Sequence, residues 1–370
     1  MNIIADNTIP YLKGIIEQFA NVQYLTSGQF TANAVREADV LIVRSVDKCT
    51  REILEGSKIK LITTATIGFD HIDTAYCKEA GISWKNAPGS NAVSVAQYLL
   101  ASLVHISIQT GEVLSGKTLG IVGVGHVGKE VEKLCKPLGI KVLRNDPPRA
   151  NKEGNDQFVS LETIASESDI ITFHTPLTKE GNYPTFHLAD ETFFNQLKRK
   201  PWFINASRGA VHDTQALLKA KKEGLISQLI LDCWENEPHI DTELLDITTV
   251  ATPHIAGFSA DGKANATRMC LENIGTFFQI QIPDIHKVQP AAPANPTIDL
   301  NQFRNHRIEN CILTSFNPAP IDQALRESPG KFEWFRANYT HPREFAAYTV
   351  TGATSTEAQL LERLGFKLTI

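Results

Sequence analysis

One nine-residue run narrows the folds open to this chain more than any other: Gly120-Ile-Val-Gly-Val-Gly-His-Val-Gly128. It overlaps Lys117–Val122, an apolar, β-branched stretch that reads as a strand, and precedes Lys129–Leu138, which reads as a helix. Strand, glycine turn and helix open a βαβ unit, and each glycine has a mechanical task. Gly123 permits the sharp turn, and Gly125 lets backbone approach a pyrophosphate. Gly128 lets the helix lie close to the strand, with its N–H groups facing the anion. His126 and Val127 fill the variable positions, His126 facing solvent or the pyrophosphate. Asp146 follows the next strand, Lys141–Arg144, 18 residues beyond Gly128. A carboxylate there accepts from the ribose hydroxyls of a dinucleotide. It also repels a 2′-phosphate, so the expected cofactor is NAD rather than NADP. Arg144 and Arg149 weaken that preference without reversing it.

The rest of the chain supports an α/β class. Before the glycine run, Asn2–Ala5, Val40–Val43 and Lys60–Thr64 read as strands, with helices expected at Tyr11–Phe19 and Thr74–Ala80. Ser94–Ile108 carries a broad apolar helical face. After it, strands are expected at Ile170–His174, Trp202–Asn205, Leu229–Asp232 and Thr248–Ala251, and helices at Asp213–Glu223 and Ala260–Ile280. A full βα array interrupts an earlier, smaller one. The expected architecture is therefore a Rossmann-type NAD domain at 94–257 inserted into a flavodoxin-like substrate domain at 1–93 and 258–283. Four prolines between Ile282 and Pro296 read as a linker. A small α+β domain is expected at 284–370, with a strand at Cys311–Ser315, a helix at Pro320–Arg326 and a strand and helix within Ala346–Leu364.

Composition removes several classes. Of 370 residues, 36 are Lys or Arg and 41 Asp or Glu, for a net charge of -5, which speaks against a nucleic-acid binder. The stretch Val93–Ile108 is expected to be too short and polar to span a membrane, and Met1–Asp6 has no signal-peptide character. Six scattered cysteines without a Cys-x-x-Cys pair fit a reducing cytoplasm and no metal site. Asp70-His-Ile-Asp73 looks like a ligand cluster, but Asp73 reads better as a helix N-cap.

Three polar clusters each follow an expected strand: Asn205-Ala-Ser-Arg-Gly209, Asp232-Cys-Trp-Glu-Asn-Glu-Pro238, and Pro253-His-Ile-Ala-Gly257. Strand C-terminal ends line the ligand crevice in open α/β sheets. One Arg, one Glu and one His suit alcohol oxidation beside a carboxylate. Arg208 can hold the carboxylate with its planar fork. His254 can take the hydroxyl proton as hydride leaves. Glu237 can fix the imidazole tautomer and stabilise its charged form. Arg44, following Val40–Val43, is a candidate for binding an anionic group together with Ser45.

The fingerprint, Asn205–Gly209, Glu237-Pro238 and Pro253-His254 together resemble the D-isomer-specific 2-hydroxyacid dehydrogenases, whose catalytic order is Arg, Glu, His. Within that family, Val43-Arg-Ser-Val46, Thr66-Ile-Gly-Phe-Asp-His-Ile-Asp73, Ala87-Pro-Gly-Ser-Asn-Ala92 and the tail Phe332-Glu-Trp-Phe-Arg-Ala-Asn-Tyr339 with Pro342-Arg-Glu-Phe345 are similar to a branch acting on a phosphorylated four-carbon sugar acid. The resemblance implies Arg208, Glu237 and His254 as the catalytic set. It implies Ser45 and Thr66 at substrate, and Asp146, Thr175, Ala206, Ser207, Arg208, Asp232 and Gly257 at NAD. It implies NAD-dependent oxidation of 4-phospho-D-erythronate in pyridoxal phosphate biosynthesis, and a homodimer built by the tail. The alternatives are a dehydrogenase of another D-2-hydroxyacid, such as 3-phosphoglycerate, and an NAD-binding regulatory protein. Two positions depart from the pattern. Phe258 stands where a substrate-binding Tyr is usual, and Gln97 where the wider family often has Glu.

Overall fold

The computed structural model describes residues 1–369. The chain divides into two compact units, Met1–Asn91 with Ser259–Ala291, and Ala92–Phe258 with Ala292–Ile370.

The first unit holds a five-stranded parallel sheet of β1 (Asn2–Asp6), β2 (Asn21–Leu25), β3 (Val40–Val43), β4 (Leu61–Thr64) and β5 (Ser83–Lys85), in the order β2-β1-β3-β4-β5. This is the flavodoxin-like order. Val40–Val43 is buried on both faces, which is why it reads as a continuous apolar run. The helix Ala260–Phe278 packs Ala264, Cys270, Leu271 and Ile274 into the same core as Ile3, Val40 and Leu61. Asp73 is an N-cap, its side chain accepting from the Tyr76 N–H. The helix expected over Tyr11–Phe19 does not form. Gly14 takes φ +86, and only a 3-10 turn at Ile16–Gln18 remains. Strands β2 and β5 were not foreseen.

The second unit contains a six-stranded parallel sheet of β6 (Thr118–Val122), β7 (Lys141–Asn145), β8 (Ile170–Phe173), β9 (Trp202–Asn205), β10 (Leu229–Leu231) and β11 (Val250–Ala251), in the order β11-β10-β9-β8-β6-β7. The chain leaves β6 for β7 on one side and returns to β8 on the other. That reversal is a topological switch point, and such a point opens a crevice at the strand C-terminal ends.

The helix Ala92–Thr110 runs along one face of this sheet, in one core with Leu119, Ile121, Val131 and Leu134. At 19 residues it is longer than expected, and by length and composition it could cross a membrane. Here 72% of its apolar window is buried, and it serves as a core helix.

The C-terminal stretch has a small parallel sheet, β12 (Thr297–Asp299), β13 (Thr349–Thr351) and β14 (Lys367–Leu368), in that order. It does not stand apart. Ile298, Leu300, Ile312, Phe345 and Val350 are buried in the same cluster as Leu99 and Leu103. Arg326 donates to the Leu245 and Thr248 carbonyls, and the Asp322 carboxylate accepts from the Ala251 N–H of the edge strand β11 at 2.7 Å. An otherwise open sheet edge is thereby covered. Cys311–Ser315, expected as a strand, belongs to the helix Arg307–Ser315. Ile308, Cys311, Ile312 and Ser315 turn to one side at helical spacing.

Candidate active site

The glycine turn has the geometry that its sequence requires. Gly123 has φ +89, and a Cβ there would come within 2.8 Å of the His174 backbone. A Cβ on Gly128 would overlap the Gly123 carbonyl oxygen, so the helix His126–Cys135 can lie this close only with glycine. At Gly125 a Cβ would meet nothing within 4 Å, leaving open space beside the backbone. His126 is exposed and Val127 is half-buried against the core.

Asp146 ties the turn to the end of β7. Its oxygens accept from the Val124 N–H at 2.8 Å and the Arg149 N–H at 3.1 Å. Neither nearby arginine is left idle. Arg144 pairs with Glu132, and Arg149 with Glu153 and the Val124 carbonyl. A 2′-phosphate would meet the Asp146 carboxylate without a free guanidinium to offset it. The Thr175 hydroxyl oxygen, after β8, is buried and makes no hydrogen bond, an orphan suited to a ligand donor or acceptor. Open backbone at Gly125, an acid after β7 and an orphan hydroxyl after β8 together fit a dinucleotide. His174, beside Thr175, is buried, bonds Thr172, and is pushed down to about 3 by burial, so it is a neutral wall.

Arg208, Glu237 and His254 follow β9, β10 and β11. Asn205 shapes the first loop, its Nδ2 donating to the Arg208 carbonyl at 2.9 Å while its Oδ1 accepts from the Ser207 N–H and hydroxyl. Ala206 and Ser207 are buried. Gly209 then lies against the second loop, where a Cβ would overlap the Trp234 carbonyl.

Glu237 accepts from the Trp234 N–H at 2.8 Å through Oε1 and meets His254 Nδ1 at 2.7 Å through Oε2. Burial pushes the Glu237 carboxyl up, but the His254 bond and charge, the Trp234 N–H and the Arg336 charge together hold it below the usual carboxylate range. With Nδ1 engaged, Nε2 is the imidazole nitrogen left for a ligand.

His254 takes φ +57, a left-handed conformation that costs a non-glycine residue roughly 1–3 kcal/mol. Asp232 maintains it. That carboxylate is 1% exposed and accepts from the Thr252 hydroxyl, the Ile255 N–H and the Ala256 N–H. Asp232 therefore braces the loop carrying His254, a task that the sequence did not reveal. Gly257 and Phe258 end this loop, and the Phe258 N–H donates to the Ile255 carbonyl at 2.8 Å. The Cys233 sulfur, a Glu237 oxygen and a His254 nitrogen lie within 4.8 Å of one another. Burial pushes the Cys233 thiol well up, so it stays protonated, poorly suited to ligating a cation.

In the first unit, Arg44, Ser45 and Thr66 follow β3 and β4. Arg44 Nε lies 3.3 Å from buried Asp6, Ser45 is exposed, and the Thr66 hydroxyl donates to the Gly68 carbonyl. Asp47 accepts from the Arg44 N–H.

Residues 103–256 match the D-isomer-specific 2-hydroxyacid dehydrogenase NAD-binding domain, and 291–365 match a domain of unknown function, DUF3410. The chain is 49% identical to an erythronate-4-phosphate dehydrogenase of Porphyromonas gingivalis, over 99% of this chain and 100% of that one. It is 37% identical to one from Escherichia fergusonii, over 99% of this chain and 98% of that one. A D-lactate dehydrogenase structure from Aquifex aeolicus, complexed with NAD and lactic acid, superposes with TM-score 0.60 at 26% identity, covering 79% of this chain and 100% of that one. A cradle fitted to NAD, an Arg, Glu and His on successive strand ends, and near-full-length similarity lead to one conclusion: the chain belongs to the erythronate-4-phosphate dehydrogenase family of D-isomer-specific 2-hydroxyacid dehydrogenases.

Proposed function

We propose that the protein oxidises 4-phospho-D-erythronate to 2-oxo-3-hydroxy-4-phosphobutanoate, a step in pyridoxal 5′-phosphate biosynthesis. The observation that carries this reading is the 2.7 Å bond between His254 Nδ1 and Glu237, in the loop next to Arg208. NAD, when bound, accepts the hydride. Arg208 holds the substrate carboxylate and polarises the adjacent C–O bond. His254 Nε2 takes the C2 hydroxyl proton as the C–H bond breaks. Glu237 keeps Nδ1 protonated and stabilises the imidazolium that forms.

Gly123, Gly125 and Gly128 seat the pyrophosphate, Asp146 holds the ribose, and Thr175, Ala206–Arg208 and Gly257 face the nicotinamide half. Asp232 acts there through the loop it braces. Arg44 and Ser45 hold the substrate phosphate, with Thr66 and Phe258 completing the substrate contacts. Six buried free cysteines suit a reducing cytoplasm. The working form is a homodimer through the C-terminal region, where Trp334 is 59% exposed.

The test is NADH formation by purified protein. Turnover with 4-phospho-D-erythronate and NAD, well above that with 3-phosphoglycerate, is expected. A preference for 3-phosphoglycerate, or bound NAD with no turnover of either, would replace this reading with one of the alternatives.

A further inference from the structure

The helix Phe332–Ala337 and the turn after it lie in the same compact unit as Arg208, Glu237 and His254. Their side chains reach that cluster. The Arg336 guanidinium stands 6.0 Å from the Phe258 ring centroid. Its charge acts on both the Glu237 carboxyl and the Cys233 thiol. The Phe258 ring packs on His341, centroids 5.8 Å apart, and His341 on Tyr339 at 6.1 Å. Tyr339 in turn feels the Asp232 charge. Arg336 thus lies beside the reacting centre with one aromatic wall next to it.

Its present bonding leaves it available. Both Glu237 oxygens are taken, by the Trp234 N–H and by His254, and among the described residues Arg336 makes no ion pair with Glu237. Its one acceptor among the described residues is Glu333, at 2.9 Å, a partner three residues away whose side chain is 58% exposed. A solvated i,i+3 pair of this kind holds a side chain weakly and exchanges readily. Arg336 Nε is buried and has no acceptor. A guanidinium has five donors in a rigid fork, and leaving them unpaired near an apolar ring is unfavourable unless an anion completes the set.

We infer that Arg336 is a substrate-binding residue, taking an oxyanion of the substrate against Phe258 in exchange for Glu333. The chemistry is that of a carboxylate or a phosphate monoester, and a phosphorylated sugar acid carries both. This makes the C-terminal region part of the specificity machinery of its own chain. The inference rests on the proposed substrate class, and the test separates the two.

The experiment is calorimetric titration of the NADH-loaded, full-length protein, which binds substrate without turning it over. Wild type, Arg336→Gln and Arg336→Lys are each titrated with 4-phospho-D-erythronate and with D-erythronate, and NADH affinity is measured alongside. Arg336→Gln is expected to weaken 4-phospho-D-erythronate by roughly ten- to a hundredfold. NADH affinity should be unchanged, and Arg336→Lys should recover part of the loss. If only the phosphorylated ligand weakens, the phosphate is the anion bound; if both weaken alike, it is the carboxylate. Affinities within twofold of wild type for both ligands overturn the inference. So does a loss confined to kcat with a displaced acid limb in the pH profile, because Arg336 would then act only on Glu237. A protein that binds the ligands with these differences but does not oxidise them refutes the proposed reaction and leaves this inference standing.

Discussion

Asp47 is a buried carboxyl whose ionisation the fold opposes. It is 1% exposed, and one carboxylate oxygen has no hydrogen-bond partner. Burial and the adjoining Asp6 carboxyl push it up to about 6, while the Arg44 N–H and charge oppose the rise. Its folded pKa lies above the unfolded one, so the native state favours the protonated acid. The associated stability is complete below about pH 4 and is lost as pH rises through about 6. Asp47→Asn mimics the protonated form. It should raise the melting temperature at pH 7 and leave it nearly unchanged at pH 4. Equal melting temperatures at pH 7 would mean that Asp47 is ionised without cost. Residues of this kind are hard to read in sequence. Arg44 and Asp47 are close along the chain, but Asp6 joins them only because β1 and β3 are neighbours in the sheet.

At the scale of elements, the loops after β9, β10 and β11 share their geometry. Gly209 lets the Arg208 loop touch the Trp234 carbonyl, and Trp234 in turn donates to Glu237. Gly209→Ala should therefore separate Arg208 from the Glu237–His254 pair. A misplacement of about 1 Å can cost on the order of a hundredfold in rate. We expect kcat to fall by about that factor with NAD affinity preserved, as read by steady-state kinetics and cofactor titration. Native kcat would show that the two loops are positioned independently. The motif residues of these loops were legible because strand ends deliver them and short patterns mark them. The brace was not: Asp232 lies in the expected cluster, but its bonds run inward to the next loop. Arg336 belongs to the tail motif Phe332–Tyr339, but nothing in that motif links it to Glu237, about a hundred residues earlier in the chain. Cys311–Ser315 was misread because five residues cannot separate period 2 from period 3.6. Including Ile308 shows the helical spacing. Tyr11–Phe19 failed because tertiary packing of Leu12, Ile15 and Ile16 overrode a weak helical pattern containing Gly14.

At the scale of the whole molecule, the C-terminal region fills two cores. It completes one cluster with Ile298, Ile312 and Phe345 and the other with Leu325 and Phe332. Cutting the chain near residue 285, a natural test for a dimerisation domain, would expose those cores and confound assembly with folding. A surface change is cleaner. Trp334 borders a groove of about 630 Å³ lined also by Pro238, Ile240 and Lys331. Trp334→Glu should turn the proposed dimer into a monomer by light scattering, with little change in melting temperature. A dimer that persists would place the interface elsewhere.

In the proposed reaction His254, held by Glu237, takes the substrate proton during hydride transfer. Single-turnover NADH formation from 4-phospho-D-erythronate, with wild type and His254→Ala each saturated with NAD, measures that role. General acid–base catalysis contributes about a hundred- to ten-thousandfold. His254 belongs to the loop after β11, whereas the pyrophosphate turn follows β6. A loss of that size is therefore expected in the variant, with unchanged NAD affinity. A variant that transfers hydride at close to the wild-type rate would contradict it.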